Sequence, residues 1–184
     1  MASDPPWPRG SHVFVDESKS RDYTLVAAIA VPNDLAAARS GVSRLRHKGS
    51  SSIHMTKESP GTRKRILAGL GGLPVSAYVV QCANPGLSEL ERRFTCLEHL
   101  LERCDEASVA SLTIELDESI RKHEEQFLLE ARRRMSLSDE FRYHWRRRNE
   151  EPLLWVADAV AWSYVQGGDW RNRARPLLRG AFRI

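Results

Sequence analysis

Three aspartates in this sequence occupy positions that suggest a chemical role for their carboxylates. Asp158 lies within residues 153–162, a stretch that is apolar on every helical face. Burying an unpaired charge is costly, so an arginine, a hydrogen-bond network or a metal ion must compensate Asp158. Asp16 and Asp117 each follow the apolar pattern of a probable strand. Because three separate elements each deliver an aspartate, the sequence indicates a cluster of carboxylates.

Such a cluster suits Mg²⁺ or Mn²⁺, since hard divalent ions prefer oxygen ligands held on rigid elements. Phosphoryl-transfer enzymes often hold two such ions about 3.5–4 Å apart, which stabilises the attacking and leaving oxygens. Asp16, Asp117 and Asp158 are therefore candidate metal ligands and catalytic residues. Glu115 and Glu17 are candidate supporting ligands. Glu115 shares a strand face with Asp117, whereas Glu17 points to the face opposite Asp16 if the strand is regular.

Each aspartate also has a purely structural explanation. Asp16 could begin a polar hairpin turn, because aspartate stabilises turns through bonds to the backbone. Asp117 could be the N-cap of the helix that follows it. Asp158 could form a salt bridge with a buried arginine. His54 lies in a polar segment and could reach the site from a loop, although a lone loop histidine is more often a surface residue.

Positive charge is concentrated near the end of the chain. The formal net charge is only +4, but residues 132–184 contain twelve arginines, no lysine and six acidic residues. Arg146, Arg147 and Arg148 are dense enough to hold the phosphates of a nucleic acid bidentately. The alternative is that an arginine-rich composition, 23 arginines against 5 lysines, decorates a solvated surface.

Length and composition indicate one globular domain. The 184 residues suffice for a full core, which we expect over 12–184, after a disordered or extended leader at 1–11. No apolar run reaches the roughly 18 residues of a membrane span, and the start has no secretory signal. Three widely spaced cysteines without zinc-ligand spacing predict reduced thiols in a cytoplasm. Phosphate-binding glycine motifs and a serine nucleophile elbow are absent.

Periodicity predicts the order β-β-α-α-β-α-β-α-β-α, an α/β protein with a mixed sheet. The tail after the last helix is basic and has little pattern. The predicted strands cover 12–18, 23–32, 75–82, 108–116 and, weakly, 141–147, and the predicted helices cover 33–46, 61–70, 87–104, 118–135 and 152–166.

Four short motifs, taken in order, resemble the DUF thirty-eight-hundred (domain of unknown function) family, found mostly in bacteria and their mobile elements. They are Asp-Glu-Ser at 16–18, Ile-His-Met at 53–55, the strand that ends in Asp117, and Ala-Asp-Ala-Val-Ala at 157–161. The resemblance covers 12–166. It implies a ribonuclease H-like fold, with a five-stranded mixed sheet flanked by helices.

The resemblance also implies a metal site made of Asp16, Asp117 and Asp158, with His54 as a matching site residue. The family usually has glycine after Asp-Glu-Ser, where this chain has Lys19. That lysine could bind phosphate or perturb the site.

The leading hypothesis is a metal-dependent nuclease that hydrolyses RNA or DNA phosphodiester bonds by a two-metal-ion mechanism. In this hypothesis His54 assists proton transfer or product release, and the C-terminal arginines hold the nucleic acid. The expected setting is a bacterial toxin, a defence system or a mobile element, and a homo-oligomer is possible. The alternative is a non-catalytic nucleic-acid-binding or scaffold protein with the same fold. If Asp158 paired with an arginine and lay far from Asp16, the nuclease hypothesis would fail.

Overall fold

The structure, a computed structural model, describes residues 6–19, 22–135, 137–138 and 140–184. These residues form one six-stranded sheet with helices on both faces. The strands are β1 (His12–Lys19), β2 (Tyr23–Ala30), β3 (Ser76–Cys82), β4 (Ser111–Glu115), β5 (Arg142–Arg146) and β6 (Leu178–Arg183). The helices are α1 (Leu35–Leu45), α2 (Pro60–Leu70), α3 (Glu89–Glu106), α4 (Arg121–Met135), α5 (Leu154–Gln166) and α6 (Gly168–Ala174).

The strands are ordered β5-β4-β1-β2-β3-β6. β2 runs antiparallel to both of its neighbours, whereas the other pairs are parallel. The prediction of an α/β fold with a mixed sheet flanked by helices is confirmed. The described sheet has six strands rather than the expected five, because β6 is added beside β3 at one edge.

The parallel strands β1, β4 and β5 bring their carboxyl ends to the same edge of the sheet. Val15 of β1 is opposite Ile114 of β4, so the next residue of each strand, Asp16 and Glu115, lie side by side. Glu115 is in turn opposite Arg146 of β5. Charged side chains from the ends of three strands are thereby placed next to one another.

Alternation along the strands divides the core between the two faces of the sheet. Val13 and Val15 of β1 pack with α3 and α4 on one face. Phe14 lies on the other face, which is covered by α1, α2, α5 and α6. Because both faces are covered, all eight residues of β2 are buried, which explains its nearly continuous apolar sequence. For the same reason α5 is buried over most of its length.

The tail contains more regular structure than its sequence predicts. α6 and β6 lie in the segment for which no clear pattern was found. β6 has two arginines and one glycine among six residues, and β3 specifies it by parallel pairing. The three cysteines are buried as free thiols. Among the described helices, none has the length and apolar character needed to cross a membrane.

The predicted leader contributes to the core. Residues 1–5 lie outside the described part of the chain, but Trp7 is only 4% exposed. Its ring lies edge-on to Tyr78, 5.5 Å between centroids. The core on the α3 face therefore begins five residues before β1.

Trp7→Ala is expected to lower the free energy of unfolding by about 3–5 kcal/mol, because it removes a buried aromatic ring and leaves a cavity. Urea unfolding followed by circular dichroism measures this loss. Trp7→Phe keeps an aromatic ring against Tyr78 and serves as the control, with a smaller expected loss. A loss below about 1 kcal/mol for the alanine variant would show that this segment contributes little to the core.

Candidate functional site

Three carboxylates from three elements contact one guanidinium. Asp16 comes from β1, Glu115 from the end of β4 and Asp158 from α5. Nη2 of Arg148 lies 3.1 Å from Asp16 Oδ2 and 2.9 Å from Glu115 Oε2. Nη1 of Arg148 lies 2.9 Å from Asp158 Oδ1. A single cationic group thus holds together acidic side chains that are far apart in the sequence.

One guanidinium does not neutralise this cluster. Three ionised carboxylates and Arg148 leave a formal charge of −2. Asp16 is only 5% exposed, and its burial raises its pKa well above the usual range. The negative charges of Glu115 and Asp158 raise this pKa further, and Arg148 offsets only part of the effect. With all three carboxylates ionised, the cluster has an excess of negative charge that either a further cation or a proton on Asp16 would relieve.

The segment that contains His54 holds Asp158 from the other side. The backbone N–H of Met55 donates a 2.8 Å hydrogen bond to Asp158 Oδ2. His54 Nδ1 lies 3.4 Å from Asp158 Oδ1, in an orientation too poor for a good hydrogen bond. Burial acts to raise the pKa of Asp158, but His54, Arg148 and the Met55 N–H together lower it. Asp158 is thus held as a carboxylate, and the structure places His54 beside it.

The loop between β5 and α5 fixes the backbone of Arg148. The indole N–H of Trp155 donates a 2.6 Å hydrogen bond to the carbonyl oxygen of Arg148. Farther along the loop, Glu151 Oε2 pairs with Arg39 Nη2 at 2.6 Å, and Glu151 Oε1 accepts a hydrogen bond from the N–H of Leu153 at 3.1 Å. The loop that carries Arg148 is therefore held to α5 by Trp155 and to α1 by Arg39.

Asp117 lies at the mouth of the site rather than beside Asp16. The sequence pattern placed Asp117 at the end of this strand. In the structure β4 ends two residues earlier, at Glu115. Asp117 Oδ1 accepts a 3.0 Å hydrogen bond from the N–H of Ser119, and the Ser119 hydroxyl lowers the pKa of Asp117. Asp117 Oδ2 lies 3.4 Å from Lys19 Nζ. Glu115 thus occupies the place beside Asp16 that the sequence assigned to Asp117.

Glu17 belongs to a second ionic cluster on the opposite face of the sheet. Its Oε2 lies 2.6 Å from Arg93 Nη1, and Arg93 Nε donates a 2.7 Å hydrogen bond to Glu124 Oε1. Arg93 and Glu124 are 1% and 0% exposed. Strand alternation predicts that Glu17 points to the face of the sheet opposite Asp16. In the structure the two side chains do point to opposite faces.

The three consecutive arginines point to different surroundings. Arg146 is exposed on β5, and Arg147 Nη2 pairs with Glu118 at 3.1 Å on the surface. Arg148 turns inward to the carboxylates, so these residues do not form one outward row for phosphates. Arg148 was predicted from the sequence to bind a nucleic acid, whereas in the structure it contacts the three carboxylates. The sequence did contain one indication of this contact, because the buried Asp158 requires a compensating charge.

Most of the predicted site residues line one open cleft of about 360 Å³. Its walls are formed by Asp16, Glu17, Lys19, Glu115, Leu116, Asp117, Glu118 and Arg148. Within the described ranges, no three acidic, histidine or cysteine side chains are close enough to share a metal ion. The guanidinium of Arg148 lies between the carboxylates of Asp16, Glu115 and Asp158.

No protein-family model matches the chain, and no curated protein matches it significantly. Among solved structures, the chain is similar to a crystal structure of a mutant protein of Bst-RNase HIII, with 17% sequence identity and a TM-score of 0.45. The match covers 93% of this chain and 53% of that chain, so the chain spans about half the length of that structure.

Proposed function

We propose that this protein is a metal-dependent nuclease that hydrolyses phosphodiester bonds of RNA or DNA. Asp16, Glu115 and Asp158 would hold the divalent ions. The observation that carries the proposal is the shared guanidinium: three carboxylates on separate rigid elements face one cationic position beside an open cleft. Their formal charge exceeds what that guanidinium can compensate.

The donor set fits Mg²⁺ or Mn²⁺. All three side chains offer hard oxygen ligands, which these ions prefer. Glu115 Oε2 is buried, and among the described residues no hydrogen-bond donor is well aligned with it, although Arg148 Nη2 lies 2.9 Å away. When bound, divalent ions supply activation of a water molecule and stabilisation of charge on the phosphate.

Other residues orient these ligands or could transfer a proton. Asp16 Oδ1 accepts a 2.8 Å hydrogen bond from the N–H of Glu17, which orients the carboxylate. The side chain of His54 is about one-third exposed and lies beside Asp158, so it could exchange a proton with a bound phosphodiester. At the mouth, Lys19 lines the cleft where a phosphate would approach.

A second candidate function is non-catalytic nucleic-acid binding on the same fold. Arg148 favours it, because a guanidinium alone could be the compensation that Asp158 requires. The geometry does not place Asp158 far from Asp16, however, since both contact that one arginine. The condition under which the nuclease hypothesis would fail is therefore not met.

Cleavage of single-stranded RNA, single-stranded DNA and an RNA–DNA hybrid tests the proposal. We expect cleavage with Mn²⁺ and none with a chelator. Asp158→Asn is expected to lower the rate by about a hundredfold or more, because losing a metal ligand costs at least as much as losing an outer-shell partner.

The matched control is Asp169→Asn, which removes an exposed aspartate that pairs with Arg173 on α6. Its rate is expected to equal that of the wild type. Absence of cleavage by every form, or equal cleavage by the wild type and Asp158→Asn, would favour the non-catalytic function.

A further inference from the structure

We propose that Arg148 is an internal counter-ion that occupies the cation position of the metal-free site and leaves it when divalent ions bind. This inference rests on the metal site of the proposed function. Metal and arginine would then compete for Asp16, Glu115 and Asp158. The consequence is that Arg148 lowers the metal affinity of the protein while it stabilises the metal-free fold.

The contacts of Arg148 support a position equivalent to that of a metal ion. Its guanidinium reaches all three carboxylates at 2.9–3.1 Å, and its Nε donates a further 3.1 Å hydrogen bond to Glu115 Oε1. A guanidinium is planar and much larger than Mg²⁺, so it keeps these carboxylates farther apart than direct coordination at about 2.0–2.1 Å requires. Arginine and metal cannot occupy the same place.

The surroundings allow the side chain to leave while its backbone stays in place. Trp155 holds the carbonyl oxygen of Arg148, so movement is confined to the side chain. The Arg148 side chain is 19% exposed and lines the cleft, so solvent lies beside it. Arg93 provides the contrast, because its guanidinium bridges two glutamates but its side chain is only 2% exposed.

Chemical modification of the wild-type protein tests the displacement without any substitution. Phenylglyoxal reacts with accessible arginines, and peptide mass spectrometry reports the extent at each one. We expect Mn²⁺ to increase modification of Arg148 several-fold. Arg93 should stay protected and Arg147 should stay reactive, with or without Mn²⁺, because neither contacts the three carboxylates. Unchanged or reduced modification of Arg148 would overturn the proposal.

Metal affinity provides an independent test. Arg148→Met removes the competing charge, so we expect it to bind Mn²⁺ about tenfold more tightly or better, a change of about 1.4 kcal/mol. Titration of free Mn²⁺ by electron paramagnetic resonance measures this without reference to cleavage. Arg147→Met is the matched control, since it removes the same charge from the neighbouring residue, and its affinity should equal that of the wild type.

The metal-free variant should also be less stable. Without a cation the three carboxylates repel one another, so we expect the Tm of Arg148→Met to fall by about 4 °C or more and Mn²⁺ to restore it. If Arg148→Met does not fold, Arg148→Lys provides the second variant, because a compact ammonium cannot span all three carboxylates. Its Mn²⁺ affinity should lie above that of the wild type.

The outcomes separate this inference from the proposed function. Equal or weaker Mn²⁺ binding by Arg148→Met overturns the counter-ion role, even if the wild type cleaves nucleic acid with Mn²⁺. Absence of Mn²⁺ binding by all forms overturns the counter-ion role as well. Tighter binding by Arg148→Met, together with an inactive wild type, supports the counter-ion role while the nuclease proposal fails.

Discussion

Glu115→Gln is expected to reduce Mn²⁺-dependent cleavage by about a hundredfold or more, whereas Asp117→Asn is expected to reduce it less than about tenfold. The difference follows from position. Glu115 contacts the same guanidinium as Asp16 and Asp158. Asp117 instead bonds to Ser119 and lies near Lys19 at the mouth of the cleft. Its loss would change the local charge but not the group of carboxylates.

Both substitutions replace a carboxylate by the amide of the same shape, so each is the other's matched control. Initial rates on the best nucleic-acid substrate, measured at saturating Mn²⁺, give the comparison. Mn²⁺ titration should show the same order, with weaker binding for Glu115→Gln than for Asp117→Asn. A larger loss of cleavage for Asp117→Asn than for Glu115→Gln would indicate that Asp117, as the sequence pattern predicted, is the third metal ligand.

Glu115 lies beside Asp16, where the sequence pattern had placed Asp117. This difference shows what a sequence pattern can specify. Alternation of Leu112 and Ile114 with Thr113 and Glu115 correctly placed Glu115, the acidic residue of β4, on the face opposite Leu112 and Ile114. Alternation does not show where a strand ends, because a loop residue can continue the pattern by chance. The end of β4 depends on its pairing with β1 and β5, which only the tertiary structure shows.

The elements with strong periodicity were predictable, and those that depend on a neighbour were not. The nearly continuous apolar sequence of β2 indicated a strand, and α5 was recognisable from its apolar surface on all sides. β6 has a weak pattern of its own, and pairing with β3 specifies it. The contact of Arg148 with the carboxylates could not be predicted from its local sequence either, because nothing there distinguishes Arg148 from Arg146 and Arg147.

Arg93→Met is expected to lower the free energy of unfolding by about 3–5 kcal/mol, because it removes the cation that pairs with the fully buried Glu124 and with the partly buried Glu17. Arg93 contacts Glu17 and Glu124 and donates a 2.7 Å hydrogen bond to the hydroxyl of Tyr23. The other oxygen of Glu124 accepts a 2.8 Å hydrogen bond from the indole N–H of Trp145. This network joins α3, α4, β1, β2 and β5, so its loss affects the whole face of the sheet.

Urea unfolding of Arg93→Met, of Glu124→Met and of the double variant measures the coupling between these two residues. We expect the double variant to be more stable than Arg93→Met, because removing the stranded carboxylate relieves the cost of burying it. Additive losses would show that the pair is not coupled. Mn²⁺ should not restore the stability of Arg93→Met to the wild-type value, since Glu17 and Glu124 lie across the sheet from Asp16 and Asp158. The two arginines would then differ in function for a physical reason: the Arg93 side chain is only 2% exposed, whereas the Arg148 side chain is 19% exposed and lines a cleft that a cation can enter.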